Sequence, residues 1–274
     1  MNSILIPYHH RIDLLLPLLK NLKDFPVLVV DDGPIVGDWD HWKSQHPNVE
    51  CVRANGSSGF TKVVNCGLDY LELKGVQSVL ILNDDAWIEP ISVQAIFNKM
   101  AQNKIISPVI EVDKTVFFGA YVSRIGKVKL QSDPSKPINA MLGACLCIPS
   151  NLRMDSQFIH GFEDIALTHW AFNQGYNLTV LYEHRCYHLH GGTLKPLSAT
   201  GLRYSIYGHL QLYNSLPRVP LVWASYVVLL LKEGGSEDSR IHLLNSINQG
   251  VSDWFWRAIA VRMASFKLGS SKAR

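Results

Sequence analysis

The chain has 274 residues, 47% hydrophobic and 18% charged, with a formal net charge of +3. That composition describes a folded globular protein and excludes a disordered polymer. So small a net charge, with no basic stripe interleaved with aromatics, also argues against nucleic acid as a partner.

The five cysteines, Cys51, Cys66, Cys145, Cys147 and Cys186, form no CxxC pair. They fit reduced core thiols in a cytoplasmic protein. His9, His10, Arg11 and Asp13 interrupt the apolar start before a secretory h-region forms. The longest apolar run, Val219 to Leu231, falls short of the roughly 20 residues that span a bilayer. The expectation is a cytoplasmic protein, with peripheral contact at the inner face of the membrane left open.

The first predicted strand is Ile4 to Ile6, stopped by Pro7. Asp13 then caps a helix over Leu14 to Leu22, with Pro17 in its first turn. A second buried strand, within residues 26–33, ends in Asp31, Asp32 and Gly33. A short helix over 41–47, a strand over 49–55 and a helix over 61–74 follow. Val79 to Leu82 read as a strand covered on both faces, running into Asn83-Asp84-Asp85. The alternation of strands and helices predicts a mostly parallel central sheet in an α/β fold. Its acid-ended strands then converge on one cleft.

Beyond Pro90 come a helix near 91–102, a strand over 106–112, an irregular hairpin region over 117–137 and a buried strand within 139–149. A helix at 163–174 and a strand at 177–182 complete this part. From Ser198 the pattern is mostly helical, broken by residues 233–238. Two domains are expected: a catalytic domain over 1–197 and a helical region over 198–274. The second would serve acceptor, membrane or dimer contacts.

Adjacent carboxylates at a strand end repel unless a cation or a donor-rich ligand is present. Oxygen ligands there suit Mg2+ or Mn2+, and these suit a diphosphate. The plain alternative is a turn in which Asp84 or Asp85 caps the following helix. Glu163 and Asp164, at a helix start, have a similar alternative in the helix dipole. His188 and His190, two apart on one face of an extended strand, can complete a metal shell or bind a phosphate.

The order of these segments resembles the family 2 glycosyltransferases of the GT-A fold, particularly the bacterial rhamnosyltransferase-like members. The resemblance is carried by IPYHHRIDLL, VVDDG, RANGSSGFTKVVNCG, LNDDAWIEP, FIHGFEDIALTHWAFNQGY and YHLHGGT. It implies a site for a nucleoside diphosphate sugar formed by Pro7, Tyr8, Arg11, Asp31, Asp32, Asn55, Gly59, Asn65, Asn83 and Asp84, with Gly67 packed beneath. Asp85 would contact the metal in a DxD-type motif, joined by His188 or His190. Asp84 would be a second ligand or a donor-sugar contact, and Asp164 the base that takes the acceptor's proton.

The implied reaction is an inverting, metal-dependent transfer from a UDP- or dTDP-sugar to a saccharide or lipid-linked saccharide, in surface polysaccharide synthesis. A homo-oligomer stays open. Two rivals remain: a non-catalytic scaffold on the same fold, and a nucleotidyltransferase. The second normally carries a glycine-rich loop after its first strand, where this chain has PYHHR. A dinucleotide-binding oxidoreductase is weaker still, because no GxGxxG follows that strand.

Overall fold

The computed structural model describes residues 1–33, 39, 44–54, 59–123, 128–158, 161–189, 199–213, 220, 223–224, 227 and 243–255. The chain divides into two compact units, one over Met1–Ile159 and Glu163–Gly192, the other over His160–Phe162 and Thr193–Arg274.

In the first unit, β1 (Asn2–Tyr8) pairs in parallel with β2 (Val27–Asp31) on one side and β4 (Ser78–Leu82) on the other. The third strand, β3 (Val49–Arg53), continues the parallel set beyond β2. The next neighbour of β4 is β10 (Cys145–Pro149), and it runs antiparallel. Beyond it lie β6 (Lys104–Val112), β11 (Asn177–His188) and, at the edge, β5 (Ala86–Ile88). The parallel character expected for the sheet therefore holds for the β3-β2-β1-β4 half. From β10 onward the pairing is mixed. A short β7 (Thr115–Phe117) pairs with β6. The irregular region over 117–137 contains a two-stranded ladder of β8 (Gly119–Val122) and β9 (Val128–Gln131).

Both faces of the sheet are covered, which is why the parallel strands are nearly unbroken apolar runs. Ile4 and Ile6 of β1 pack on one side with Leu15, Leu18 and Leu19 of α1 (Ile12–Asn21) and Ile96 of α3 (Pro90–Lys99). Leu5 faces the other way, toward Val64 and Leu68 of α2 (Phe60–Leu73) and Leu167 of α4 (Glu163–Asn173). Gly67 lets α2 lie close to β1, since a Cβ there would come within 2.0 Å of Leu5. Cys145, Cys147 and Cys186 are buried in the first of these cores, and all five cysteines are free thiols.

Four local expectations are corrected. Pro7 does not end β1: past Leu5 the strand has β2 alone beside it, so a residue without an N–H is tolerated. Pro17 lies inside α1 and not in its first turn, on the exposed face. The missing bond to Asp13's carbonyl therefore falls on the solvent side. The helix after Asp84-Asp85 is preceded by β5, and its N-cap is Glu89. Finally, β11 extends past 182 to His188, through a register shift between Leu181 and Arg185.

In the second unit, α5 (Ala199–Tyr213) and a helical stretch over 243–255 meet closely. Gly250 faces the backbone of Arg203, and Arg203 pairs with Asp253 at 2.6 Å. Trp254, in the region expected to serve acceptor, membrane or dimer contacts, is 1% exposed. The predicted break at 233–238 and most of the apolar run over 219–231 lie outside the described residues. Among the described residues no helix is long and apolar enough to cross a membrane.

Candidate functional site

The sheet order reverses at β1, between β2 and β4, and open α/β sheets bind ligands at the carboxyl ends of strands at such a point. Tyr8, Asp31 and Asn83 stand at or just past these ends.

At the β2 end, Asp31 is fully buried and satisfied. Its carboxylate accepts the Gly33 N–H at 2.8 Å and the Trp39 indole N–H at 3.1 Å, and pairs with Arg53 at 2.7 Å. Trp39 meets the Tyr8 ring edge to face at 5.7 Å. Asp31 thus holds this end of the site together, while Asp32 beside it is more open. Burial pushes the Asp32 carboxyl above its ordinary value.

At the β4 end the chain makes a tight turn, with the Ala86 N–H donating to the Asn83 carbonyl at 3.1 Å. The turn delivers the two acids and leads into a strand, so neither acid caps a helix. Burial first, and then Asp85, raises Asp84 to about 6, opposed by the His9 backbone N–H and by Arg11. Arg11 holds Asp13 through two contacts of 3.0 and 2.9 Å. The Tyr8 hydroxyl is raised by burial and then by Asp31, Asp84 and Asp13, which places Tyr8 between the two acidic ends.

The register shift in β11 sets His188 opposite Ala86. Its Nε2 lies 3.1 Å from Oδ1 of Asp85 and 3.4 Å from Nδ2 of Asn83. A neutral imidazole presenting a lone pair at Nε2 would repel that carboxylate oxygen, so a proton or a cation belongs between them. Oδ1 of Asn83 is buried and accepts no hydrogen bond. Among the described residues no three His, Cys, Asp or Glu side chains form a metal cluster. What fits a hard divalent cation is a sparse set: one carboxylate, one imidazole and a nearby amide oxygen. Mg2+-type sites of this kind are completed by substrate phosphates and water.

Asp164 opens α4. Its Oδ2 accepts the Gly143 N–H at 2.6 Å and its Oδ1 the Ile165 N–H at 2.7 Å. Gly143 permits this approach, since a Cβ there would lie 2.7 Å from that of Asp164. Thr168 accepts the Met141 N–H at 2.8 Å and donates to the Asp164 carbonyl at 2.7 Å, tying the helix start to the same segment. Burial raises the Asp164 carboxyl; the two N–H donors and the charge of His188 oppose the rise.

The structure therefore gathers Tyr8, Arg11, Asp84, Asp85, Asn83, His188 and Asp164, with Pro7 in the strand that leads to Tyr8. Asn65 is occupied elsewhere: its amide donates to the Met154 carbonyl at 2.8 Å and accepts its N–H at 3.0 Å. Gly59 sits before α2 with φ +105. Asn55 and His190 lie outside the described residues. Sequence reasoning missed Trp39, Arg53 and Gly143. Arg53 had a signal, a base ending the strand beside an acid-ended one; Trp39 and Gly143 had none. A cleft of about 380 Å³ adjoins the acidic turn, bordered by Asp85, His188, Trp87 and Tyr187.

The family described as glycosyl transferase family 2 matches the chain over residues 3–146. No curated protein matches its sequence. Among solved structures, GalNAc-T7 with UDP, GalNAc and Mn2+ superposes with a TM-score of 0.62 at 13% identity, covering 97% of this chain and 57% of that one. The mannosyltransferase PcManGT from Pyrobaculum calidifontis, with GDP-Man and Mn2+, gives 0.52 at 14% identity over 97% and 79%. S. aureus TarS 1–349 with UDP-GlcNAc gives 0.53 at 13% identity over 94% and 83%. The chain thus spans a little over half the length of GalNAc-T7. At such identities these likenesses show the fold, which is GT-A.

Proposed function

The chain belongs to glycosyl transferase family 2, and from that premise we propose that it transfers a hexose from a UDP- or dTDP-sugar to a hydroxyl of a saccharide acceptor, inverting the anomeric carbon. The observation that carries this reading is the convergence of Asp85 and His188, 3.1 Å apart, beside the unmatched Asn83 oxygen at the switch point of the sheet. The UDP, GalNAc and Mn2+ bound by GalNAc-T7 and the GDP-Man and Mn2+ bound by PcManGT support the same assignment.

Asp85 and His188 would hold Mn2+ or Mg2+, with Asn83 and Asp84 beside them. A cation held there would supply positive charge toward the departing diphosphate. Arg11 adds positive charge near the acidic turn. Asp164 takes the proton of the acceptor hydroxyl as that oxygen bonds the anomeric carbon and the bond to the diphosphate breaks. Each Asp164 oxygen accepts one backbone N–H and keeps a second lone pair for this. Its raised proton affinity strengthens it as a base. One in-line displacement needs no covalent intermediate. Asp32 and Tyr8 would face the nucleobase and ribose, over the frame that Asp31 makes with Arg53 and Trp39, with Pro7 and Gly59 shaping that end. The reading extends to surface polysaccharide assembly on the cytoplasmic side of a membrane, on free or lipid-linked acceptors.

The test is calorimetric titration with UDP, dTDP, GDP and CDP, each with and without Mn2+, of wild type and Asp85→Ala. One nucleotide is expected to bind in the presence of Mn2+ and to lose that binding in the variant. Failure of all four would replace the enzyme by a scaffold on the same fold.

A further inference from the structure

We propose, resting on the glycosyltransferase reading above, that Gly208 and His209 of α5 are positioning residues for Asp164. They hold the Gly161-Phe162 turn in a strained conformation, and that turn sets where the carboxylate at the start of α4 stands.

Three observations carry this. The first is strain at the entry to α4. Gly161 and Phe162 both have positive φ, +84 and +68. Glycine adopts such values freely, whereas a bulky side chain in the left-handed region is an outlier that its surroundings must enforce. Phe162 is joined directly to Glu163, and Asp164 is the next residue. A change of φ at Phe162 therefore redirects the chain that leads into the base.

The second observation is what enforces the turn. The Phe162 and His209 rings stack, with centroids 5.2 Å apart and planes 15° from parallel. One residue earlier, Gly208 is buried in the interior of α5, where alanine would favour the helix. Close approach accounts for the glycine. A Cβ there would lie 2.5 Å from the Gly161 carbonyl oxygen and 3.2 Å from the Phe162 ring. In turn α5 is anchored by the Arg203–Asp253 pair, at 2.6 Å, and by buried Ile206, Tyr207 and Leu210. Both residues of the turn are thus braced against a fixed helix, one by its backbone and one by its ring.

The third observation is how little room the base has. Oδ2 of Asp164 accepts the Gly143 N–H at 2.6 Å, and Oδ1 accepts the Ile165 N–H at 2.7 Å. Both bonds depend on the direction in which the chain enters α4. A displacement of about 1 Å in a reacting group can cost on the order of 10²-fold in rate. The route from α5 to the base is the chain itself, through the peptide bond between Phe162 and Glu163.

The experiment is amide hydrogen exchange followed by NMR on wild type, His209→Gln, His209→Phe and Gly208→Ala. Beside it, release of nucleoside diphosphate from UDP- and dTDP-hexoses is measured with Mn2+ and methyl glycosides as acceptors. In His209→Gln and Gly208→Ala, the Gly143 and Ile165 amides are expected to exchange on the order of 10-fold faster than in wild type. In the same two variants kcat should fall on the order of 10- to 100-fold, with KM for the donor little changed. His209→Phe keeps an aromatic ring against Phe162 and should recover most of both losses. A role confined to packing α5 would loosen the amides of α5 and leave Gly143 untouched. An unchanged Gly143 amide in His209→Gln and Gly208→Ala, or an equal loss in His209→Phe, would overturn the brace whatever the turnover. Amides that respond as expected in a wild type that turns over no donor would keep the brace and overturn the glycosyltransferase reading instead.

Discussion

Nε2 of His188 stands 3.1 Å from Oδ1 of Asp85, joining the last residue of β11 to the turn that follows β4. A backbone bond from Leu189 to the Asp85 carbonyl, 3.0 Å, locks the same junction. The two side chains are thereby held at a fixed separation by the sheet itself.

Asp85→Ala and His188→Ala should each abolish the enhancement of nucleotide affinity by Mn2+ while leaving the fold intact. Titration calorimetry with and without Mn2+, beside a thermal melt, checks this. Retained enhancement in both variants would move the cation elsewhere.

Asp164→Asn keeps the side chain's size but loses the proton acceptor, and its amide nitrogen sets a donor against the Gly143 or Ile165 N–H. Turnover should fall on the order of 10²- to 10⁴-fold with nucleotide affinity little changed. Steady-state rates beside nucleotide titration separate the two, and near-normal turnover would remove Asp164 from the chemistry.

Asp84 gives a pH dependence of definite sign. Its carboxyl is raised from 3.8 to about 6 by burial and then by Asp85, so the folded chain binds that proton more tightly than the unfolded one. Its effect is therefore to lower stability as pH rises from about 4 to about 6, leaving a constant penalty above. In chelator at pH 8, Asp84→Asn should be more stable than wild type by about 1–3 kcal/mol, with little difference at pH 4. Urea denaturation at both values measures it.

Gly67→Ala places a methyl against Leu5, at 2.0 Å, and Val30, at 2.8 Å. Separating α2 from the sheet should cost about 1–3 kcal/mol. Chemical denaturation checks the loss; an unchanged midpoint would mean that α2 shifts freely.

The acidic ends of β2 and β4 were legible because a doubly covered strand is a continuous apolar run, and what interrupts it stands out. The order of motifs likewise gave family and fold. Less was visible past Pro90. The three residues of β5 are too few for a periodic signal, and they form a strand only because β11 lies beside them. Polar residues 183–185 hid the continuation of β11 through its register shift.

The chemistry at each strand end was thus determined by the sequence alone: carboxylates after buried β2 and β4, an acid opening α4, a histidine near the end of β11. Which of these groups meet was decided by the tertiary structure. Asp31 turned out to be held by Arg53 and Trp39, Asn65 by Met154, and Asp85 came to face His188. The physical reason is that apolar periodicity is set by neighbours along the chain. Contacts between residues far apart in sequence, such as Asn83 and His188 at a separation of 105, depend on strand order, register and a bulge.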